Sequence, residues 1–550
     1  MPPPVAPLPP PPPVAPTPPP PPPAAFAVVS TQPADGETAV SRSGKVAATF
    51  NTALDPATVT ASSAQLLGPL GNALPGMAWT AGSEVSLAPA LPALPGGTRF
   101  TMSFASSIRD KDGRLLNAPT TRSFTTAQQT WGAVSQVATM PYFTGGNAPA
   151  VAIDRAGNVT AAWRHQVNGL ATGFVSRMNA QTGAWSAPVV FDTAEDVFSD
   201  VGGMQMYSDA NVHTYLVWST YRSGTLTRKM ARFMPETAVW ERLTPFAGAP
   251  AGTAAGARVF AVDGMGRLTV VVESATRSLF GTRFDPASAT WSAPQEITKP
   301  GEASAMMNLQ LVVDAAGNST LAWADRGSVD PGMKVARFNV QTGTWSAPVK
   351  LDDNVTHRPF ALAADTLGGA TLAWIHGGMI MDVPYIAAAR FDTVAGKWSE
   401  AVRVSADIDA LGAASPSVVA DAAGIATVVW TQSRGIYSAR SSRQTSMWAP
   451  AARIGRAPPG SVSYALSADI AGNLMLLYPD EGQPMAIRFG ATEAQWGAPA
   501  AIGKLEGAEN VFANDVISVI DATGNLTAVW QAWVSVGGTP RYVVAANRYR

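Results

Sequence analysis

A chain of 550 residues with 46% hydrophobic and only 14% charged side chains can bury a large core, and its 49 Gly and 45 Pro favour short strands and tight turns over solvated helices. A formal net charge of −1 removes any global electrostatic drive toward nucleic acid or an anionic membrane. The absence of Cys excludes disulfides, thiolate nucleophiles and Cys-ligated zinc.

The chain opens on a tract, residues 2 to 23, in which sixteen positions are Pro. Such a tract is stiff polyproline II and spaces a domain by roughly 60 to 70 Å. Residues 1–25 are therefore read as a stalk. Met1 followed by Pro2 to Pro4 has neither the basic nor the apolar segment of a secretory leader, and no apolar run reaches the roughly 18 to 20 residues that a spanning helix needs. Because such stalks commonly follow an anchor, the expectation is an exported protein, periplasmic or at the cell surface, lipid-anchored through a leader absent from this chain.

Residues 26–126 alternate β-rich runs with turn signals: Phe26 to Ser30, Lys45 to Phe50, Ala64 to Leu67, Glu84 to Leu87, Arg99 to Ala105 and Thr121 to Thr125. This spacing predicts a β-sandwich. Asp110, Asp112 and Gly113 offer too few oxygens for calcium and are read as a turn. The unit resembles the bacterial Ig-like domain of the SbsA type, through Pro33 with Gly36, Phe50-Asn51, Leu54-Asp55-Pro56-Ala57-Thr58-Val59, Pro95-Gly96-Gly97-Thr98, Ile108 with Asp110 and Gly113, and Ser123-Phe124-Thr125-Thr126. That resemblance implies an exported protein in which this module is a spacer.

From residue 129 to the C-terminus a two-part pattern of about 52 residues recurs eight times. In its first part an Asp stands nine residues before a Trp or its substitute, as in Asp154/Trp163, Asp209/Trp218, Asp263/Val272, Asp314/Trp323, Asp365/Trp374, Asp421/Trp430, Asp469/Tyr478 and Asp521/Trp530. In its second part an Arg stands eight residues before a Trp, from Arg177/Trp185 to Arg488/Trp496. The eighth Arg, Arg548, nearly ends the chain, while the unpaired Trp131 opens the region. Each copy reads as four strands, the unit of a β-propeller blade. The prediction is an all-β protein: an Ig-like β-sandwich followed, over residues 129–550, by an eight-bladed β-propeller closed by N- and C-terminal strands, with residues 131 to 137 as the last blade's fourth strand. The repeated Asp is read as a turn cap and each Arg as lying on the indole of its own hairpin.

The repeats also resemble the Asp-box units of sialidase propellers and propeller lectins through the Asp, Gly and Trp of each copy. They depart from the Asp box because two residues separate Asp from Gly and the Trp comes later. No Arg triad or Tyr nucleophile of that family can be carried over to numbered positions.

With the fourth strand outermost, the loops after strands two and four share a face. Two residues past each Trp position stand His165, Thr220, Ser274, Asp325, His376, Gln432, Asp480 and Ala532, with Arg164, Tyr221, Arg222, Arg277, Arg326 and Arg434 nearby. Guanidinium forks match carboxylates and sulfates, and aromatic rings stack on sugars, so this decoration suits an acidic glycan. The binding residues expected are His165, Arg222, Arg277, Asp325, Arg326, His376, Arg434 and Asp480. Four scattered His (His165, His213, His357 and His376) lack zinc-ligand spacing, and no nucleophile elbow is present. No metal, cofactor or catalytic residue is therefore expected. The function expected is that of a monomeric, non-enzymatic exported surface protein that binds a glycan or a surface protein. The alternative is a propeller-type hydrolase or lyase acting on acidic polysaccharide, which needs a close carboxylate pair or a His/Tyr/Arg cluster.

Overall fold

The computed structural model describes residues 24–140, 148–194, 200–209, 212–222, 225–243, 257–274, 276–300, 302, 306–325, 330–354, 359–377, 383–406, 413–441, 447–457 and 464–550. The Pro tract of residues 2–23 and His357 lie outside these.

The first unit is a sandwich of two antiparallel sheets. One orders Val28–Gln32, Val46–Phe50, Glu84–Pro89 and Gly76–Ala81, and the other orders Ala64–Leu67, Arg99–Phe104 and Thr120–Thr125. Strict alternation in Arg99–Phe104 turns Phe100, Met102 and Phe104 inward, where they join Phe26, Phe50 and Phe124. Strand Gly76–Ala81 has no counterpart in the sequence reading because it is an edge strand with exposed side chains: Met77 and Trp79 are 73% and 48% exposed, so no buried face marks it. Asp110 is a turn residue, as read: one carboxylate oxygen accepts the amides of Asp112 and Arg114, and the other accepts Arg114 Nε at 2.8 Å.

Among the described residues, eight further antiparallel sheets follow, each with four strand positions. Sheet four is representative: Met306–Val313, Ser319–Asp325, Gly332–Asn339, then Thr344–Trp345 continued by Val349–Asp352. The first strand of each sheet contacts the first strand of the next, from Ala150–Ile153 through to Ala508–Ile520, and Ala508–Ile520 contacts Ala150–Ile153. The second strands are buried on both faces, and Trp163, Trp218, Trp323, Trp374, Trp430 and Trp530 are at most 1% exposed. Truncating such an indole to Ala costs about 3–5 kcal/mol.

Sheet eight takes its fourth strand from the other end of the chain. Ser135–Met140 pairs with Thr539–Tyr549, and Trp131 bridges Tyr549 with ring centroids 5.4 Å apart. The strand begins four residues later than the expected 131 to 137, because Trp131 makes an isolated bridge rather than opening the ladder.

A side-chain clasp repeats between sheets. In the turn after the first strand, Asp314 Oδ1 accepts the amides of Ala316 and Asn318 at 3.0 and 2.9 Å, which is the expected turn cap. Its Oδ2 accepts Arg337 Nη2 at 2.7 Å, and Arg177, Arg283 and Arg440 pair in the same way with Asp154, Asp263 and Asp421. Each guanidinium then lies over a Phe of the following sheet: Arg177 over Phe233, Arg283 over Phe338, Arg337 over Phe391 and Arg440 over Phe489, at 4.2 to 4.7 Å. The expected stacking on the hairpin's own indole is thus corrected. Arg337 and Phe338 are adjacent in one strand and point to opposite faces; Phe338 meets Trp345 on one face, and Arg337 meets the next sheet on the other.

The turn glycine completes the clasp. A Cβ on Gly317 would lie 3.0 Å from Asp263 Oδ2, at a φ of +93°, so the next sheet's turn can approach the carboxylate only as glycine. Gly524 meets Asp469 in the same way, and between sheets eight and one Gly157 approaches Asp521 while Arg548 Nη1 donates to Ala180 O at 3.1 Å.

The sandwich rests on the turns of sheets seven and eight. Arg42 donates to Thr523 O at 2.7 Å and to Asn525 Oδ1, Gln129 donates to Gly524 O, and Asn473 donates to Thr98 Oγ1. Arg488, the clasp arginine of sheet seven, donates to Gly96 O of the sandwich at 3.1 Å. Its own turn carboxylate, Asp469, is left buried with Asn473 Nδ2 on Oδ2. Burial pushes the Asp469 carboxyl up to about 6, against the opposing effect of hydrogen bonds from Asn473 and Ala471.

Two outcomes are expected. Deleting residues 541–550 removes the partner of Ser135–Met140, so calorimetry should show loss of the native cooperative melt; an unchanged melting temperature contradicts this pairing. For Asp469 the folded pKa lies above the unfolded value, so its contribution is full below about pH 4 and is lost as pH rises through 6. The stability of Asp469→Asn relative to wild type should therefore improve by about 1–3 kcal/mol between pH 4 and pH 7 in denaturant titrations.

Candidate functional site

The strand order places the turns joining strands one to two and three to four at one end of every sheet, where the sandwich sits. The opposite end carries the two-to-three turns and the connections between sheets. This is the loop face on which the sequence reading places ligand contacts.

Most of the predicted positions are built into packing there. Residues i and i+2 share a strand face, so the position two past each buried Trp also faces the neighbouring sheet rather than the loops. His165 is only 8% exposed, stacks on Phe174 at 4.2 Å, and is held below the ordinary His range by burial. Asp325 is 3% exposed and accepts Lys334 Nζ at 3.2 Å. Gln432 accepts Trp430 Nε1 and donates to Ala406 O, while Ser274 caps its own turn by accepting the Ser278 amide. Asp480 Oδ1 is buried and without a hydrogen-bond partner among the described residues. Ala532 is in the core and Thr220 is half-buried.

Arg277 and Arg434 occupy left-handed turn positions at φ +57° and +60°, and Arg164 pairs with Asp200. Arg326 and the side chains of Tyr221 and Arg222 lie outside the described residues. Of those described, His165, Arg277, Asp325, His376, Arg434 and Asp480 stand on six different sheets.

One of them, His376, sits in a polar and aromatic cluster. Its Nδ1 is 2.6 Å from Asp352 Oδ2, the same oxygen that accepts Trp374 Nε1 at 2.6 Å. The hydrogen bond assigns the proton to Nδ1 and turns Nε2 away from the carboxylate. His376 stacks on Tyr385 at 4.5 Å, and the guanidinium of exposed Arg403 lies 4.7 Å over the other aromatic partner of the pair, the Tyr385 ring. Asp352 ends the fourth strand of sheet four, His376 ends the second strand of sheet five, Tyr385 stands opposite His376 in its third strand, and Arg403 stands opposite Ala387 in its fourth. Sequence reasoning missed Asp352, Tyr385 and Arg403. A signal existed for the carboxylate: Asp192 and Asp352 each stand seven residues after a hairpin Trp, and Asp192 holds Trp218 Nε1 and Lys229 in the equivalent place.

Among the described residues no group of three or more His, Asp or Glu could hold a metal ion. Among the described residues no helix is long and apolar enough to cross a membrane.

Residues 23–126 match the family model of a bacterial Ig-like domain. No curated protein matches the chain. Solved structures similar to it are β-propellers. The Dos1 propeller is 9% identical, with 76% of this chain and 94% of that chain covered and a TM-score of 0.45. The β-propeller domain of the Trilobed protease from Pyrococcus furiosus is 10% identical over 66% of this chain and 98% of that one, with a TM-score of 0.41. A PL25 polysaccharide lyase, an ulvan lyase, is 11% identical over 76% and 95%, with a TM-score of 0.39. These likenesses concern the fold alone.

Proposed function

We propose that this protein is an exported, non-enzymatic bacterial surface protein: a Pro-rich stalk, an Ig-like unit over residues 26–126 that acts as a spacer, and a closed eight-bladed propeller over 129–550 whose loop face binds an acidic glycan. The closed form is supported by the contact between the first strands of sheets eight and one and by the pairing of Ser135–Met140 with Thr539–Tyr549. Export is supported by the match of the first unit to a bacterial Ig-like domain. Attachment through a lipidated leader and a monomeric state belong to the same reading.

The observation that carries the binding role is the cluster of Asp352, His376, Tyr385 and Arg403. Arg403, whose Nε and Nη2 donate to Ser405 O and Ala406 O, supplies positive charge for a carboxylate or sulfate; Tyr385, with His376 and Arg403 over its ring, holds the two in place; and His376 Nε2 is an acceptor for a sugar hydroxyl. Asp352 fixes the ring that presents that acceptor.

The second reading, a lyase or hydrolase on acidic polysaccharide, is favoured by one specific feature. A buried carboxylate orienting an imidazole beside a tyrosine and an arginine is also what a proton-transfer centre needs.

Glycan-array and calorimetric binding with acidic oligosaccharides tests both. His376→Ala and Arg403→Ala should each weaken binding about tenfold or more while the melting temperature stays within a few degrees of wild type, with no product formed. Unaltered binding in both variants contradicts the loop-face role. Turnover that His376→Ala abolishes would move the assignment to the enzyme.

A further inference from the structure

Two residues past the Trp position, only sheets four and seven carry a carboxylate, Asp325 and Asp480. In sheet four that charge has a built-in partner. Lys334 stands directly opposite Trp323 in the third strand, so by strand parity it shares a face with Asp325, and its ammonium donates to Asp325 Oδ2 at 3.2 Å. Asp325 and Lys334 are only 3% and 7% exposed, and Asp330 meets the same ammonium at 3.0 Å.

In sheet seven the same places are filled differently. The residue opposite Tyr478 is Met485, which has no charge to offer. Among the described residues Asp480 Oδ1 is shut off from solvent with no hydrogen-bond partner, and the Arg456 guanidinium of sheet six is held instead by Glu481 at 3.3 Å. A carboxylate oxygen buried without a donor is more costly than a neutral polar atom, so this position favours a cation from outside. Asp480 as a whole is only half-buried, which leaves the carboxylate open at the loop end. The turn behind it is rigid: Glu481 and Gly482 have left-handed φ of +49° and +81°, as a tight two-residue hairpin requires, and Gly482 O accepts the Ala513 amide of sheet eight at 2.8 Å.

A second orphan lies beside the first. Tyr464 directly precedes the first strand of sheet seven, its ring centroid is 6.2 Å from that of Tyr478, and its hydroxyl is buried without a partner among the described residues. Burial, then Tyr478 and Asp480, raise this hydroxyl above the ordinary phenol range, so it stays a protonated donor without an acceptor. The two rings pack on Val429 and Ile436, which places the pair between sheets six and seven.

One group therefore lacks a cation and its neighbour lacks an acceptor oxygen. An ammonium with a hydroxyl on the adjacent carbon supplies both, and a hexosamine with a free amine has that arrangement. A lysine side chain carries the ammonium alone.

We propose that Asp480 and Tyr464 form a binding site for a hexosamine with a free amine, its ammonium on the Asp480 carboxylate, where sheet four places Lys334, and its adjacent hydroxyl on the Tyr464 O–H. The site shares no residue with the cluster around His376 and stands whether or not that cluster binds an acidic glycan.

Calorimetry of the full chain with fully deacetylated chitobiose tests this, at a pH where the sugar amine is protonated. One sugar per chain is expected, with N,N′-diacetylchitobiose at least about tenfold weaker because its amides carry no charge. Asp480→Asn should weaken chitobiose as much. Met485→Lys, which rebuilds the sheet-four pair in sheet seven, should do the same by supplying the ammonium from within. Both variants should melt at or above the wild-type temperature, since each relieves the uncompensated carboxylate, so lost binding is not lost fold. Tyr464→Phe should weaken the sugar about threefold or more, and His376→Ala should change nothing. No binding of chitobiose, equal binding of its acetylated form, affinity retained in both Asp480→Asn and Met485→Lys, or a lysine tripeptide that binds as tightly as the sugar would overturn the proposal.

Discussion

The interaction on which the architecture depends is the clasp that joins one sheet to the next. A carboxylate caps a turn with one oxygen and holds an arginine with the other; that arginine lies on a phenylalanine of the following sheet, whose turn must be glycine to come close enough. Burial of the cation keeps Arg283, Arg337 and Arg440 below the ordinary guanidinium range, and the adjacent carboxylates oppose that shift. Such buried pairs add little net stability relative to apolar packing, and breaking one partner is expensive. Their value here is registry: a cation, an anion and a ring meet only when neighbouring sheets are correctly set against each other.

The two ends of the sheets have consequently different freedom. The clasp end is held by Arg177, Arg283, Arg337 and Arg440 at four junctions, and the sandwich takes over Arg488 and reaches the turn carbonyls of sheet eight. The loop end carries a different bond between sheets, from Trp218 to Asp192 and from Trp374 to Asp352, and Arg403 and Tyr385 stand beside the second of these. Rigid elements carrying variable loops are the usual arrangement for recognition, and the sandwich docks at the other end.

The repeat, the four-strand unit, the turn role of Asp and the pairing of the chain's two ends were legible because each rests on spacing within a short stretch of covalent chain. The partner of each arginine was not, since it depends on which face meets the next sheet; Phe391 lies 54 residues beyond Arg337. His165 and Asp325 share a face with the buried indoles by strand parity and are therefore packed. Gly76–Ala81 escaped because its exposed face carries the apolar Met77 and Trp79 while its inner face carries only Ala78 and Thr80, so polarity does not mark the faces. The sandwich contact escaped because it uses backbone oxygens of Gly96, Thr523 and Gly524, which no residue pattern marks.

A double-mutant cycle tests the clasp most directly. Coupling energies of Arg337→Met with Phe391→Leu, and of Arg337→Met with Trp345→Leu, can be read from denaturant unfolding of the full chain. The account predicts a coupling of about 0.5–2 kcal/mol across the sheets to Phe391 and close to zero to the hairpin's own Trp345. A strong coupling to Trp345 with none to Phe391 would contradict it.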